Sequence, residues 1–220
     1  MNLMRLIAIS VVLLGIEPTQ ETTISVPLSS EHLDEVTFDA SRVSGTDVSR
    51  WIQLSAEGPF SQADIGTRLC FSQPPSENAR KQQEIRRAQA RLSKFRSRIS
   101  DLDQGHYPAG LKEVVSYLKR RQSFWLWLDR QELAFFETGD VTVLQSPFDQ
   151  IDPKSSCGAA LEAVHKAKDQ NAAWRLACFD WHNCVLKAGE ERIGPYPKDA
   201  WRSFLTEHGI REHIISTEAY

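Results

Sequence analysis

None of the short signatures of a known chemistry occurs in this chain. There is no H-E-x-x-H, no G-x-S-x-G, no phosphate-cradling glycine loop and no G-x-G-x-x-G. That removes the sequence grounds for a zinc protease, an α/β-hydrolase, a P-loop NTPase or a dinucleotide enzyme. No C-x-x-C pair is present, and the spacings of the four cysteines fit no common zinc module. Internal repeats and low-complexity segments are missing, which argues against solenoids and disordered tracts. After residue 16 no apolar run is long enough to cross a membrane. No cofactor and no metal are expected.

What is present begins at the N-terminus. Met1 to Arg5 is a short positive start, and Leu6 to Ile16 is an eleven-residue run of apolar and small residues. Polar Glu17-Pro18-Thr19-Gln20 follows. Charged start, apolar middle and polar exit read as a secretory signal over residues 1–16. As a helix, so short a run reaches only about half of the roughly 30 Å hydrocarbon core, so no transmembrane span is expected in the mature chain. The nearest small-residue exit is Leu13-Leu14-Gly15, and no cysteine follows to carry a lipid anchor. The expected location is outside the cytoplasm, periplasmic or extracellular, where cysteines form bridges.

Charge is unevenly placed. Arg80 to Arg98 holds eight basic residues against the single acid Glu84, a window of +7 in a chain of net −3, so the remainder carries −10. Such asymmetry marks either an anionic partner or a region neutralised within the fold.

Hydrophobic periodicity divides the rest. Residues 17–74 read as a polar N-terminal arm (17–34) and a small mixed segment. Val36-Thr37-Phe38 is a candidate strand, and Thr46 or Asp47 would cap a short helix burying Val48, Trp51 and Ile52. Residues 75–140 read as a helical hairpin. Ile85, Ala88, Leu92, Phe95, Ile99 and Leu102 recur at spacings of 3 and 4, the seam of a coiled-coil-like helix over about 77–102. Gln104 to Pro108 breaks it. Leu111, Val114, Val115, Leu118, Trp125, Leu133 and Phe136 then share an apolar arc, with Phe124, Leu128 and Phe135 on its flank. Trp127 falls outside this arc and Asp129 inside it. Helix is favoured over a strand pair for Phe124 to Phe136, because apolar i, i+4 pairs persist throughout. Residues 141–220 read as a helical C-terminal region with helices near 155–168, 171–188 and 198–208. The second buries Trp174, Ala177, Cys178, Trp181 and Val185 and is expected to end at Gly189 or Gly194-Pro195. The expected fold class is mainly α: a long antiparallel helical hairpin plus a disulfide-braced helical C-terminal region, with little or no β.

Cys178 and Cys184 lie six apart on one helix, which points them in different directions. Cys157 and Cys184 are nearly equidistant from the turn at Asp169-Gln170-Asn171, so they would face each other across a hairpin. The expected bridges are Cys157–Cys184 and Cys70–Cys178.

Four constellations are candidates for function. Asp180-Trp181-His182-Asn183-Cys184 is the densest polar cluster. On a helix His182 points away from both Asp180 and Cys184, so it reads as a surface histidine beside a cystine. Glu162 and His165 have the Glu-x-x-His spacing of di-metal bundles, but only one copy exists. His208, Glu212 and His213 cluster near the C-terminus, with Gly209 interrupting their alignment. Arg80, Glu84, Arg87, Arg91, Lys94, Arg98 and Asp101 recur at 4 and 3, a ridge beside the apolar seam. From Arg80 to Arg98 the ridge is about 27 Å long at the helical rise.

The ridge residues Arg80, Arg87, Arg91, Lys94 and Arg98, with Trp127, suggest a non-catalytic binding module. Its partner would be an anionic polymer, a membrane surface or an acidic protein. Nucleic acid is disfavoured, since no aromatic residue interleaves with these charges. The alternative is a small exported hydrolase with a site assembled near Asp180, His182 or His165. A third reading is an assembly role through an exposed apolar seam.

Overall fold

The computed structural model describes residues 21–27, 33–55, 79–145 and 156–213. The expected signal at 1–16 and Cys70 lie outside the described residues. The fold is mainly α, as expected, with one small sheet.

The arm expected at 17–34 contains a strand. β1 (Glu21–Pro27) pairs antiparallel with β2 (Leu33–Asp39) from Glu21↔Asp39 to Pro27↔Leu33. Thr22, Thr23, Ile24 and Val26 are β-branched and suit a pleated ribbon. Ile24 packs against the core, and Val36 and Phe38 of β2 are buried in it. A helical stretch, α1 (Gly45–Ile52), follows and buries Val48, Trp51 and Ile52. Its cap is Ser44 rather than Thr46 or Asp47. The Ser44 hydroxyl accepts the Asp47 N–H at 3.2 Å and donates to the Asp47 carboxylate at 2.8 Å.

The hairpin is two long helices, α2 (Ala79–Gln104) and α3 (Lys112–Thr138), joined through a 3₁₀ turn at Ala109–Leu111. Phe124 to Phe136 is helical throughout. The seam of α2 lies against α3: Ala88, Leu92, Phe95 and Leu102 are buried, and Ile85 and Ile99 half-buried. Lys119 of α3 also reaches back to Asp103 at 2.7 Å. An exposed seam, which the assembly reading requires, is therefore not what the chain presents. Gly139 ends α3 with φ +70°, its N–H bonded to the Phe135 carbonyl at 2.8 Å. This is the left-handed cap that only glycine adopts without cost.

The C-terminal region has α4 (Ser156–His165), then a continuous rod: α5 (Gln170–Arg175), one π-helical stretch (Leu176–Trp181) and α6 (His182–Ile193). The rod passes straight through Gly189 and stops at Gly194. Then α7 (Lys198–His208) precedes β3 (Arg211–His213), which pairs antiparallel with β2, making β2 the central strand.

Two apolar cores result. The first gathers β2, α1, the facing ends of α2 and α3, and Trp201, Phe204 and Leu205 of α7. The second gathers the start of α2, the end of α3 and the rod, around Leu128, Phe135, Phe136, Trp174 and Trp181. The hairpin serves both. Cys157 and Cys184 are bridged, with Cα atoms 5.3 Å apart, tying α4 to α6 as expected. Cys178 is also disulfide-bonded; its expected partner, Cys70, lies outside the described residues.

Candidate functional site

The expected ridge does not reach solvent as one surface. Arg91 Nε donates to the Asp129 carboxylate at 3.0 Å, and both side chains are largely buried between α2 and α3. Arg98 is only 8% exposed. The cause lies in the spacing: Arg91 is adjacent to Leu92, and Arg98 sits three after Phe95 and four before Leu102. A ridge touching the seam on its own helix is carried under the partner helix. Arg87 and Lys94 are exposed, as are Arg86 and Arg96 outside the ridge pattern. The side chain of Arg80 lies outside the described residues.

Asp129 belongs to a buried charged group. His182 is 3% exposed and Glu132 6%. The His182 Nδ1–H donates to the Glu132 carboxylate, joining the start of α6 to α3. The expected surface histidine is thus an interior one. His182 lies four after Cys178 and three before Val185, so the apolar face of the rod includes it; its relation to Asp180 and Cys184 does not decide its direction. Glu132 lies four after Leu128 and four before Phe136, on the apolar arc of α3. Burial raises the Asp129 carboxyl above its ordinary value against the pull of Arg91, with the Glu132 charge adding to the rise and His182 opposing it.

The other histidines are engaged locally. His165 is exposed, and its Nε2–H donates to the Val141 carbonyl at 3.1 Å. Glu162 pairs with Lys166. His208 Nδ1–H donates to the Phe204 carbonyl at 2.9 Å and its ring packs on Phe204 and Trp51, away from any metal-binding group with Glu212. Among the described residues no three His, Cys, Asp or Glu side chains come together as metal ligands. Asp180 is exposed.

Among the described residues, a concave surface lies elsewhere, where α3 meets the end of α6. Arg120, Ser123, Phe124 and Trp127 project from α3 at i, i+3, i+4 and i+7. Gly189, Arg192 and Ile193 face them from α6 at i, i+3 and i+4. Together they enclose a cavity of about 370 Å³. A second cavity of about 230 Å³ is lined by Tyr117, Arg121, Trp125 and Glu190 among others. Phe124 and Ile193 line both cavities. The Phe124 ring stacks on Trp127 with centroids 6.2 Å apart and lies edge-on to Trp125 at 6.0 Å. Gly189 makes this possible: a Cβ there would overlap the Phe124 ring. Neither His182 nor Glu132 lines either cavity.

Sequence reasoning singled out only Trp127 of this cleft. The signal for the rest was the polar-to-aromatic stripe Arg120–Ser123–Phe124–Trp127, which lies beside the apolar arc of α3 and has a glycine opposite. No family model, curated protein or solved structure matches the chain, so its own geometry carries the functional argument.

Proposed function

We propose that this protein is an exported, non-catalytic interaction module that presents its basic helical hairpin to an anionic partner. The single observation behind this reading is where the hairpin's charges go. Residues 79–138 carry thirteen Lys and Arg against seven Asp and Glu. Asp129 and Glu132 are turned inward on Arg91 and His182, whereas Arg86, Arg87, Lys94, Arg96, Arg120 and Arg130 are exposed. Asp101, Asp103, Glu113 and Glu137 are exposed as well, so the outer surface is mixed in sign but basic on balance, which favours an anionic partner in an attraction that salt weakens. The export signal read at residues 1–16 and the Cys157–Cys184 bridge support an oxidising compartment. No helix among the described residues is long and apolar enough to cross a membrane.

The test is retention of the purified protein on dextran sulfate as salt is raised, beside a variant with Arg86, Arg87, Lys94 and Arg96 changed to Glu. Arg91 is left intact, because reversing it would break a buried ion pair rather than test a surface. Salt-sensitive retention lost in the variant supports the module. Retention equal in both chains rejects it.

A further inference from the structure

We infer that the outer face of α3 around Trp127 is a contact surface for an anionic phospholipid bilayer, with the helix lying among the headgroups. This rests on the anionic-partner function proposed above and names the chemistry of the partner.

Ser116, Arg120, Ser123, Trp127, Arg130 and Ala134 recur along α3 at spacings of 4 and 3, which makes one straight stripe. It runs opposite the inward positions, where Leu118, Gln122, Asp129, Glu132 and Phe136 are buried. Ser116, Arg120, Ser123 and Arg130 are exposed, and Trp127 is half-buried among them. It belongs to a turn, Phe124-Trp125-Leu126-Trp127, whose four large apolar side chains point all round the helix, each of them half-buried. A helix that only covers a core is polar on its far side. Phe124 is accounted for by Gly189 of α6, against which its ring lies. Trp127 leans on Phe124, with ring centroids 6.2 Å apart, and keeps its outer side in water. An indole with an apolar body and one N–H suits the boundary between water and hydrocarbon.

The acids of α3 stand away from the middle of this stripe. Asp129 and Glu132 are buried, and Glu113 and Glu137 lie near the two ends of the helix. Arg120 and Arg130 flank Trp127, about 15 Å apart at the helical rise. Arg120 donates to the neutral Ser116 hydroxyl at 3.0 Å, so its charge still acts outward. Lys119 is paired with Asp103, Arg121 shares a cavity with Glu190, and Arg192 of α6 has a partner of its own; none of them belongs to the stripe. A soluble polyanion would meet the two arginines and leave Trp127 in water. A bilayer surface meets both: guanidinium forks match the phosphates, and the ring reaches past them to the acyl boundary.

The experiment is co-sedimentation of the full protein with vesicles of phosphatidylglycerol and phosphatidylcholine in roughly equal parts, beside vesicles of phosphatidylcholine alone. Binding should require the anionic lipid and fall with salt. Changing Arg120 and Arg130 together to Gln should weaken it about twentyfold, at about fivefold for each cation removed. Trp127→Ala should weaken vesicle binding about fivefold or more while leaving retention on dextran sulfate unchanged, because that polymer has no apolar phase. Ser123→Glu, at an exposed position between Arg120 and Trp127, should also release the vesicles, and it keeps the test decisive where Trp127→Ala lowers stability. No binding to the mixed vesicles, or binding unchanged in the arginine pair and in Ser123→Glu, overturns the inference. So does equal retention on polyglutamate with no effect of Trp127→Ala on either support, which would assign the stripe to an acidic protein. Where dextran sulfate retention is lost in the four-Glu variant of α2 and the vesicles still fail to bind, the lipid partner falls and the interaction module stands.

Discussion

Consider the buried Glu132–His182 pair with leucine placed at one position, at the other, and at both. Leucine for Glu132 leaves the buried His182 ring with one unmet donor, which costs about 1–3 kcal/mol. Leucine for His182 is worse. It strands a carboxylate that is 6% exposed and near Asp129, whose own carboxyl is already raised partly by Glu132. Breaking a buried pair from that side costs about 3–5 kcal/mol. Changing both removes two polar groups at once and fills the space with apolar volume, which is close to neutral, within about 1–2 kcal/mol. The expected order of stability is therefore double variant first, Glu132→Leu next and His182→Leu last. The double-mutant coupling should be at least about 2 kcal/mol. Urea unfolding at pH 7, followed by tryptophan fluorescence, measures all four chains. Additivity within about 0.5 kcal/mol, or a double variant less stable than both singles, would refute the reasoning.

The raised Asp129 carboxyl has a pH signature of definite sign. Between its unfolded value near 3.8 and its higher folded value, the folded state binds more protons, so the stability contributed by Asp129 falls as pH rises. Measured against Asp129→Asn by urea unfolding from pH 7 down to pH 4, the native chain should gain relative stability as the pH drops; a relative loss would contradict the burial argument. Changing Cys157 and Cys184 together to Ser should cost roughly 3.5 kcal/mol, from a bridge spanning 27 residues. An unchanged thermal midpoint would show that the bridge does not constrain the unfolded chain as assumed.

The hairpin was legible because α2 repeats its apolar residues at 3 and 4 from Ile85 to Leu102, a pattern that survives any detail of packing. The Cys157–Cys184 bridge was legible from equal distances to one turn. The fate of the charges was not. A ridge seen on one helix looks solvated until the partner helix is placed, and the same placement that buries Leu92 and Phe95 covers Arg91 and Arg98. His182 was misread because it was judged against Asp180 and Cys184 instead of against Cys178 and Val185. The strand over 21–27 was missed because Ile24, which packs on the core, is flanked by Glu21, Thr22, Thr23 and Ser25, too polar a run for a hydrophobic signal. The cleft was missed because it needs two stripes, one on α3 and one on α6, brought together by Gly189.

β3 has a consequence for how the molecule is made. The second core draws on residues from about 85 to 185, a stretch whose members lie close in sequence. The first core needs Val36 and Phe38 at one end of the chain and Trp201, Phe204 and Ile210 near the other. As a chain emerges from its N-terminus, whether from a ribosome or through an export pore, the earlier-made part cannot finish until residues 211–213 arrive to pair with β2. The middle of the chain holds all the residues of its core before the beginning has those of its own. Until then β2 has one edge unpaired, a strand that a chaperone would have to shield.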